Sequence, residues 1–184
     1  MLARLLLCFM LSCALPALAQ LPPPEVNVTR TSRGEHNEFD VVASGTVRAA
    51  PVAVWKILTD YERMPEFVPD MRSSRIISRT GNRVVVEQFG EARFLFLHRG
   101  IYLVVEVTER APSVIDIGLI TGDMEVYRCR WEIMPIADGG GTRIVYTGTL
   151  VPKFYVPGMF GANMIRSDIK RMMTAVLARL DAKS

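Results

Sequence analysis

Cysteine and histidine are scarce in this sequence. Two of its three cysteines lie in the apolar first twenty residues, which leaves only Cys129 in the rest of the chain. A disulfide within that rest is therefore excluded, and buried side chains alone must hold the fold. The two histidines, His36 and His98, are far apart in sequence and have no partners at ligand spacing, so no metal site is expected.

A surplus of one charge and the common catalytic motifs are also missing. The formal net charge is +3, from 22 basic and 19 acidic residues, and the basic ones are scattered. Nucleic-acid-binding surfaces cluster Lys and Arg, so no nucleic-acid partner is expected. The sequence contains no P-loop, dinucleotide fingerprint or G-x-S-x-G motif. It therefore predicts no cofactor and shows no catalytic constellation.

Residues 1–19 have the three parts of a secretory signal peptide. Arg4 supplies a positive start, residues 5–15 are apolar, and Ala17 and Ala19 form an A-x-A cleavage pattern. The apolar core is shorter than the about 20 residues that span a membrane. We expect cleavage near Ala19, before Gln20, and a periplasmic or secreted protein. A membrane anchor, or lipidation at Cys13, is the alternative.

The rest of the chain divides into a polar arm and one domain. Residues 20–37 are polar and proline-rich at their start, so they are predicted to form a flexible N-terminal arm. The domain is predicted to span residues 38–183. It begins with a strand over residues 39–47, and Pro51 then starts a helix with one apolar face. Two prolines limit the next helical segment to residues 64–68.

Six strands and a long helix are predicted after these two short helices. The strands cover residues 72–79, 83–89, 93–108, 113–119, 125–134 and 142–151. The last helix covers residues 160–182, where apolar residues recur at helical spacing. Short turns between consecutive strands imply an antiparallel sheet, and only the long helix is large enough to cover its apolar face. The fold class is therefore predicted to be α+β.

The segment VWKILTDYERMPEFVPDM, residues 54–71, resembles the helix-pair signature of the START-like (SRPBCC) superfamily, in its polyketide cyclase/dehydrase and coenzyme Q-binding branch. The matching residues are Trp55, Leu58, Asp60, Tyr61, Pro65, Phe67 and Pro69. Gly122, Trp131 and the Gly-Thr-Arg of residues 141–143 are similar too, so the resemblance extends over residues 39–180. It implies a helix-grip fold, in which a curved antiparallel sheet wraps around a long C-terminal helix, with two short helices after the first strand. It also implies a cavity for a hydrophobic ligand.

Residues 60–71, DYERMPEFVPDM, concentrate charge, aromatic rings and proline in twelve positions. The segment has four acids: Asp60, Glu62, Glu66 and Asp70. We expect them to point to different sides of a broken helix and to be solvated rather than catalytic. Phe67 and Met71 are predicted to form a lid over the cavity, because methionine and aromatic surfaces adapt to apolar ligands. The alternative is that both simply fill the core.

Nine residues are predicted to bind the ligand. They come from the first helix, the lid, the last strands and the last helix: Trp55, Tyr61, Phe67, Met71, Tyr127, Trp131, Tyr146, Met164 and Met172. Aromatic rings with polar tips orient apolar ligands, and methionine fills irregular space. Core packing without a ligand is the alternative for each of them. Cys129 lies on the apolar face of its strand and is predicted to be a buried, unreactive thiol.

These patterns favour an exported binding or carrier protein for a hydrophobic small molecule, lipid-like or isoprenoid-like, held between the sheet and the last helix. A cyclase/dehydrase-type enzyme acting on a polyketide-like substrate is the alternative. Its candidate polar residues are His98, Tyr102, Glu106, Tyr127 and Tyr146. A module that binds a partner in the same groove is a third hypothesis, and basic residues on the last helix allow a transient membrane contact. The sequence sets neither the ligand nor the oligomeric state.

Overall fold

The computed structural model describes residues 22–33, 36–94, 97–156 and 158–182. The predicted signal peptide, residues 1–19, and its cleavage site lie outside the described residues, so cleavage and export stay predictions. The side chain of His98 also lies outside the description.

Eight strands and two α-helices follow one another in the described residues. The strands are β1 (Glu25–Arg33), β2 (His36–Val47), β3 (Met71–Thr80), β4 (Arg83–Phe94), β5 (Leu97–Arg110), β6 (Val114–Gly122), β7 (Met124–Pro135) and β8 (Thr142–Pro152). The helices are α1 (Pro51–Leu58) and α2 (Gly158–Asp181). A 3₁₀ helix, Tyr61–Glu66, follows α1, and a shorter one, Ala137–Gly139, connects β7 to β8.

All the strands belong to one antiparallel sheet, in the order β1-β2-β8-β7-β6-β5-β4-β3. Consecutive strands pair as hairpins from β3 to β8, as their short turns predict. Among the described strands, the one pairing between strands far apart in sequence joins β2 to β8, with Phe39 opposite Leu150. Helix α2 lies against β1 and β2. The predicted α+β helix-grip architecture is confirmed.

The prediction of a flexible N-terminal arm over residues 20–37 is wrong for half of that range, because residues 25–33 form strand β1. This strand pairs with β2 from Glu25 opposite Ser44 to Arg33 opposite His36. Val28 is buried at 3 % exposure, and its carbonyl accepts a hydrogen bond of 3.1 Å from Arg166 of α2. The alternation of valine with polar residues is too short in this polar stretch to predict a strand. Pairing with β2 supplies the backbone partners that stabilise it.

The prediction of one strand over residues 93–108 is wrong about where that strand starts. Arg93 and Phe94 end β4, and β5 begins at Leu97, so that Arg93 lies opposite His98. The sequence from Phe94 to Leu97 is apolar and contains no glycine or proline, which is why the pattern does not separate the two strands.

The two short helices differ in type. In α1, Pro51 occupies the first turn and Val54 and Leu58 are buried. The second helical segment is a 3₁₀ helix over Tyr61–Glu66 rather than the predicted residues 64–68. Tyr61 opens it and is buried at 2 % exposure, so burial of this ring sets where the segment starts.

Helix α2 packs against β2 at two places where glycine permits close approach. Gly161 of α2 faces Phe39, and a Cβ there would lie 3.1 Å from the Phe39 ring and 2.6 Å from Val156. Gly45 of β2 faces Leu177 of α2, where a Cβ would lie 2.4 Å from a methyl carbon. Helix α2 thus contacts β2 near both ends of the strand, through Gly161 and Leu177. The turns of α2 between these two contacts face the rest of the sheet.

Gly141, after the turn between β7 and β8, is expected to tolerate no side chain. Its φ is +97°, and a Cβ would lie 2.0 Å from the carbonyl oxygen of Val47. We expect Gly141→Ala to lower the free energy of unfolding by more than about 2 kcal/mol, because strained φ adds to a backbone clash. Gly139 is the matched control: its φ is +72° with nothing within 4 Å of a Cβ, so alanine there should cost about 1 kcal/mol. Urea unfolding of both variants measures this, and equal losses would contradict it.

Candidate functional site

A small cavity lies between the sheet, the 60–71 segment and α2. This inner cavity has a volume of about 70 Å³ and is lined by residues of α1, β4 to β8 and α2. An open recess of about 250 Å³ adjoins it and shares Val68, Met71, Gln88 and Tyr127 as walls. The recess reaches solvent between β4, β5 and the end of the 60–71 segment. The two spaces together have the layout of a pocket with a mouth.

Seven of the nine predicted ligand-binding residues line the inner cavity. They are Tyr61, Phe67, Met71, Tyr127, Trp131, Tyr146 and Met172. The structure thus brings together residues that are up to 111 positions apart (Tyr61 to Met172) from four parts of the chain. Their contact with a ligand stays a prediction.

Trp55 and Met164 do not line the inner cavity. Trp55 is half-buried against the core and lies one turn before Leu58, the residue of α1 that reaches the cavity. Met164 lies eight residues before Met172 on α2, which is about 12 Å along the helix. Helical periodicity predicts the face on which these side chains lie but not the position along the helix at which the cavity opens.

Sequence reasoning missed several lining residues. Val86 and Gln88 of β4, Val105 and Val107 of β5, and Ile117 of β6 complete the sheet side of the cavity. Alternation predicts that Val105 and Val107 share a face, but not that this face belongs to the cavity rather than to the core. Met64 and Val68 complete the side formed by the 60–71 segment.

The inner cavity is smaller than most small-molecule sites, which measure about 300–1,000 Å³. In this conformation, side chains fill the space that a ligand would occupy. Three of them, Met64, Met71 and Met172, are unbranched methionines that repack at low cost. A ligand larger than a few atoms therefore needs these side chains, and the 60–71 segment that carries two of them, to move.

The polar groups at the cavity wall come from β7 and β8. The Tyr146 hydroxyl donates a hydrogen bond of 3.0 Å to the Cys129 sulfur, and both residues are buried. Tyr127 interacts with both of them. The Tyr146 ring packs against Trp131 with ring centres 4.8 Å apart at 53°. We call Tyr127, Cys129 and Tyr146 the tyrosine–cysteine cluster.

Burial keeps this cluster un-ionised. It raises the pKa of the Cys129 thiol to about 11, against the lowering effect of hydrogen bonds from the two tyrosines. Burial, followed by repulsion from Cys129, raises the pKa of Tyr146 well above its usual 10.0. Repulsion from Cys129, followed by burial, does the same to the pKa of Tyr127. A thiol of this kind is a poor nucleophile near neutral pH.

Stability should therefore fall as pH rises above about 9. The unfolded thiol loses its proton near the ordinary cysteine pKa of 9.0, whereas the folded thiol keeps it until about 11. The folded state then binds more protons than the unfolded state, so raising the pH favours unfolding. We expect the loss between pH 8.5 and 10.5 to be smaller in Cys129→Ala than in the unsubstituted protein, by about 2 kcal/mol at most. Parallel urea-unfolding curves across this pH range would contradict it.

The hydroxyl of Tyr61 faces an ion pair at the edge of the site. It donates a hydrogen bond of 2.9 Å to Glu109, whose other carboxylate oxygen lies 2.9 Å from Arg79. Burial, followed by the hydrogen bond to Glu109, raises the pKa of Tyr61. The negative charge of Glu109 near the cavity is thus already compensated by Arg79, which lies on the side of Glu109 away from Tyr61.

The 60–71 segment is tied to α2 by two ion pairs. Glu66 lies 3.0 Å from Arg179, and Asp70 lies 2.8 Å from Arg171. The expectation that all four acids are solvated is wrong for Asp70, whose side chain is only 12 % exposed. The Arg179 guanidinium also lies over the Phe67 ring, 5.5 Å from its centre. We call the two ion pairs the lid latch, after the lid predicted for this segment.

The acids of this segment do not converge. Asp60 lies 3.8 Å from Arg63, while Glu62 accepts a hydrogen bond of 3.4 Å from the Ile76 amide on β3. Within the described part of the chain, no three His, Cys, Asp or Glu side chains are placed to hold a metal ion. Of the helices described, none is long and apolar enough to cross a membrane.

Two of the candidate catalytic residues lie away from the cavity. Tyr102 is 39 % exposed and donates a hydrogen bond of 3.0 Å to Glu87 on the outer face of the sheet. Glu106 is exposed on that face too, since it alternates with the buried Val105 and Val107. Only Tyr127 and Tyr146, of the candidates whose side chains are described, reach the inner cavity.

An antiparallel sheet that curves around a long C-terminal helix, with an apolar cavity between them, defines a helix-grip protein of the START-like superfamily. A family model described as polyketide cyclase/dehydrase and lipid transport matches residues 47–177. The match covers more than half of the chain, and the chain belongs to this family. A search of the curated proteins finds no match.

Solved structures from several bacteria share the fold. A START superfamily protein from Mycobacterium smegmatis is 18% identical with a TM-score of 0.66, covering 81% of this chain and 99% of that one. The Zhui aromatase/cyclase from Streptomyces sp. R1128 is 16% identical with a TM-score of 0.64, covering 79% and 93%. A STAR-related lipid transfer protein fragment from Xanthomonas axonopodis is 16% identical with a TM-score of 0.62, covering 84% and 98%. At these identities, the likeness shows the fold alone.

Proposed function

We propose that this protein is an exported carrier that holds a hydrophobic small molecule between the sheet and α2. The observation that carries the proposal is the chemistry of the inner cavity. Among the described residues that line it, none is charged, and most are aliphatic, aromatic or methionine side chains. Binding sites for small apolar ligands are built this way, with a few polar groups that orient the ligand.

The mechanism is sequestration with a moving lid. The ligand enters through the recess, displaces Met71 and Met172, and is shielded from water by Phe67. The recess and the inner cavity share walls, so the ligand has a continuous path from solvent to the inner cavity. Release requires the 60–71 segment to leave α2, which the lid latch opposes.

Native mass spectrometry of the protein purified from the exported fraction of its own cells tests carriage. We expect a stoichiometric apolar adduct that is absent from Phe67→Lys, because a positive charge in the cavity, beside Arg179, costs several kcal/mol without a partner. The matched control is Phe160→Lys, since Phe160 of α2 is 59 % exposed and should keep the adduct. A clean apo mass, with no uptake from a lipid extract, would contradict the proposal.

Export is tested by comparing the exported and cytoplasmic fractions of the same cells. We expect the purified chain to begin at Gln20, as cleavage after the A-x-A pattern predicts. A chain that keeps residues 1–19 and stays with the cytoplasmic fraction would refute export while leaving ligand binding to be decided by the adduct.

A cyclase/dehydrase-type enzyme is the second candidate, and the hydroxyls of Tyr127 and Tyr146 at the cavity wall favour it. General acids and bases work best when their pKa lies near the working pH, whereas both of these phenols have raised pKa values. The tyrosines are thus better suited to hydrogen bonding than to proton transfer, and the carrier is the stronger proposal. Turnover of a polyketide-like substrate that is lost in Tyr146→Phe would reverse that order.

A further inference from the structure

The tyrosine–cysteine cluster places neutral hydrogen-bonding groups on one wall of an otherwise apolar cavity. Tyr127 and Tyr146 line the inner cavity, and Tyr127 also lines the recess. Cys129 lies between them on β7 and is buried at 5 % exposure. A ligand that enters from the recess therefore passes the Tyr127 side chain before it reaches Tyr146.

The bond inside the cluster leaves hydrogen-bonding capacity unused. A hydroxyl has one donor and two acceptor lone pairs, and Tyr146 spends its donor on the Cys129 sulfur, which is a weak acceptor. Tyr127 also hydrogen-bonds with Tyr146, which takes up at most one of the two lone pairs, so the Tyr146 oxygen can still accept a hydrogen bond from a ligand hydroxyl. Alternatively, the Tyr146 hydroxyl can turn from sulfur to a ligand oxygen and exchange a weak bond for a stronger one.

A charged ligand would find no counter-ion in the same place. The lining residues that are described carry no charge. The arginines around the cavity already face carboxylates: Arg79 pairs with Glu109, Arg171 with Asp70 and Arg179 with Glu66. An unpaired carboxylate or phosphate in this cavity would lose its hydration without compensation.

We infer that the cavity selects neutral ligands that carry a hydroxyl or carbonyl oxygen on an apolar skeleton, and rejects carboxylates and phosphates on the same skeleton. The oxygen binds at Tyr127 and Tyr146, and the skeleton lies against Phe67 and the methionines. The inference rests on the proposed carrier function and names its ligand class.

Three probes that differ in one substituent test it: 2-naphthol, 2-methylnaphthalene and 2-naphthoate. Equilibrium dialysis at neutral pH measures the affinity of each for the full protein. We expect 2-naphthoate to bind at least about 100-fold more weakly than 2-naphthol, because its charge stays unpaired. Tyr146→Phe should weaken 2-naphthol about fivefold, as one neutral hydrogen bond predicts, and leave 2-methylnaphthalene unchanged.

One control and one substitute variant keep the test decisive. Tyr155→Phe makes the same chemical change at a residue that is 83 % exposed, and it should alter none of the affinities. If Tyr146→Phe does not fold, Tyr127→Phe takes its place, and the probe series on the unsubstituted protein still decides whether charge is rejected.

The outcomes separate this inference from the carrier proposal. Equal affinity for 2-naphthol and 2-naphthoate overturns the ligand class while carriage stands. So does a preference for 2-naphthol over 2-methylnaphthalene that survives both Tyr146→Phe and Tyr127→Phe. If none of the probes binds, the natural adduct decides: a neutral, oxygen-bearing adduct supports the inference and a charged one overturns it. No probe bound and no adduct found would overturn both.

Discussion

Replacing Phe39 with alanine is expected to lower the free energy of unfolding by about 3–5 kcal/mol, the range for a fully buried phenylalanine. The Phe39 side chain is 0 % exposed and packs under Gly161, where α2 begins to cross β2. The loss has two parts: the apolar surface that is removed and the cavity that is left behind. The cavity persists because neither strand β2 nor the turn of α2 at Gly161 can move in to fill it. A typical domain is stable by only about 5–15 kcal/mol, so much of its stability would be lost.

Urea unfolding followed by circular dichroism measures this loss. The matched control is Phe160→Ala, because Phe160 lies on the same helix near Gly161 but is 59 % exposed. Its effect should stay within about 0.5 kcal/mol. Similar losses for the two variants would show that α2 is not seated on Phe39 as described. A surviving but weakened Phe39→Ala protein should also bind neutral probes less tightly, since α2 forms one wall of the cavity.

Opening the lid latch at Asp70 is expected to speed ligand exchange in both directions. Asp70 joins the end of the lid to Arg171 of α2 at 2.8 Å, with side-chain exposures of 12 % and 40 %. Because one partner is half-exposed, we expect the pair to contribute only about 1 kcal/mol to lid closure. At about 1.4 kcal/mol per factor of ten, Asp70→Asn should raise the association and dissociation rates of a ligand about fivefold.

Stopped-flow fluorescence with N-phenyl-1-naphthylamine, a neutral probe, measures both rates. Asparagine keeps the size of the side chain and removes its charge, so the lid backbone should keep its course. The matched control is Glu87→Gln, which removes the 2.7 Å ion pair with Arg75 on the outer side of the sheet. Unchanged rates in Asp70→Asn, or an equal acceleration in Glu87→Gln, would show that the latch does not govern entry to the cavity.

Local patterns were sufficient for most of the fold. Alternation in Tyr127, Cys129 and Trp131 predicts one inward face of β7, and the structure places all three on it. The same rule failed for β1, where Val26 and Val28 are too few to stand out from polar neighbours. Local patterning also gave no boundary between β4 and β5, because the sequence there contains none of the residues that usually interrupt a strand.

The sequence by itself determined the α+β class, the inward faces of the strands and helices, and the set of aromatic and methionine residues available to a ligand. These follow from periodicity and burial, which act over a few neighbouring residues. Only the tertiary structure decided that Trp55 and Met164 lie away from the inner cavity, that Asp70 is paired with Arg171, and that the cavity measures about 70 Å³. Each of these depends on the distance between residues far apart in the chain. That distance is set by how α2 seats on β2, through the close contacts at Gly45 and Gly161.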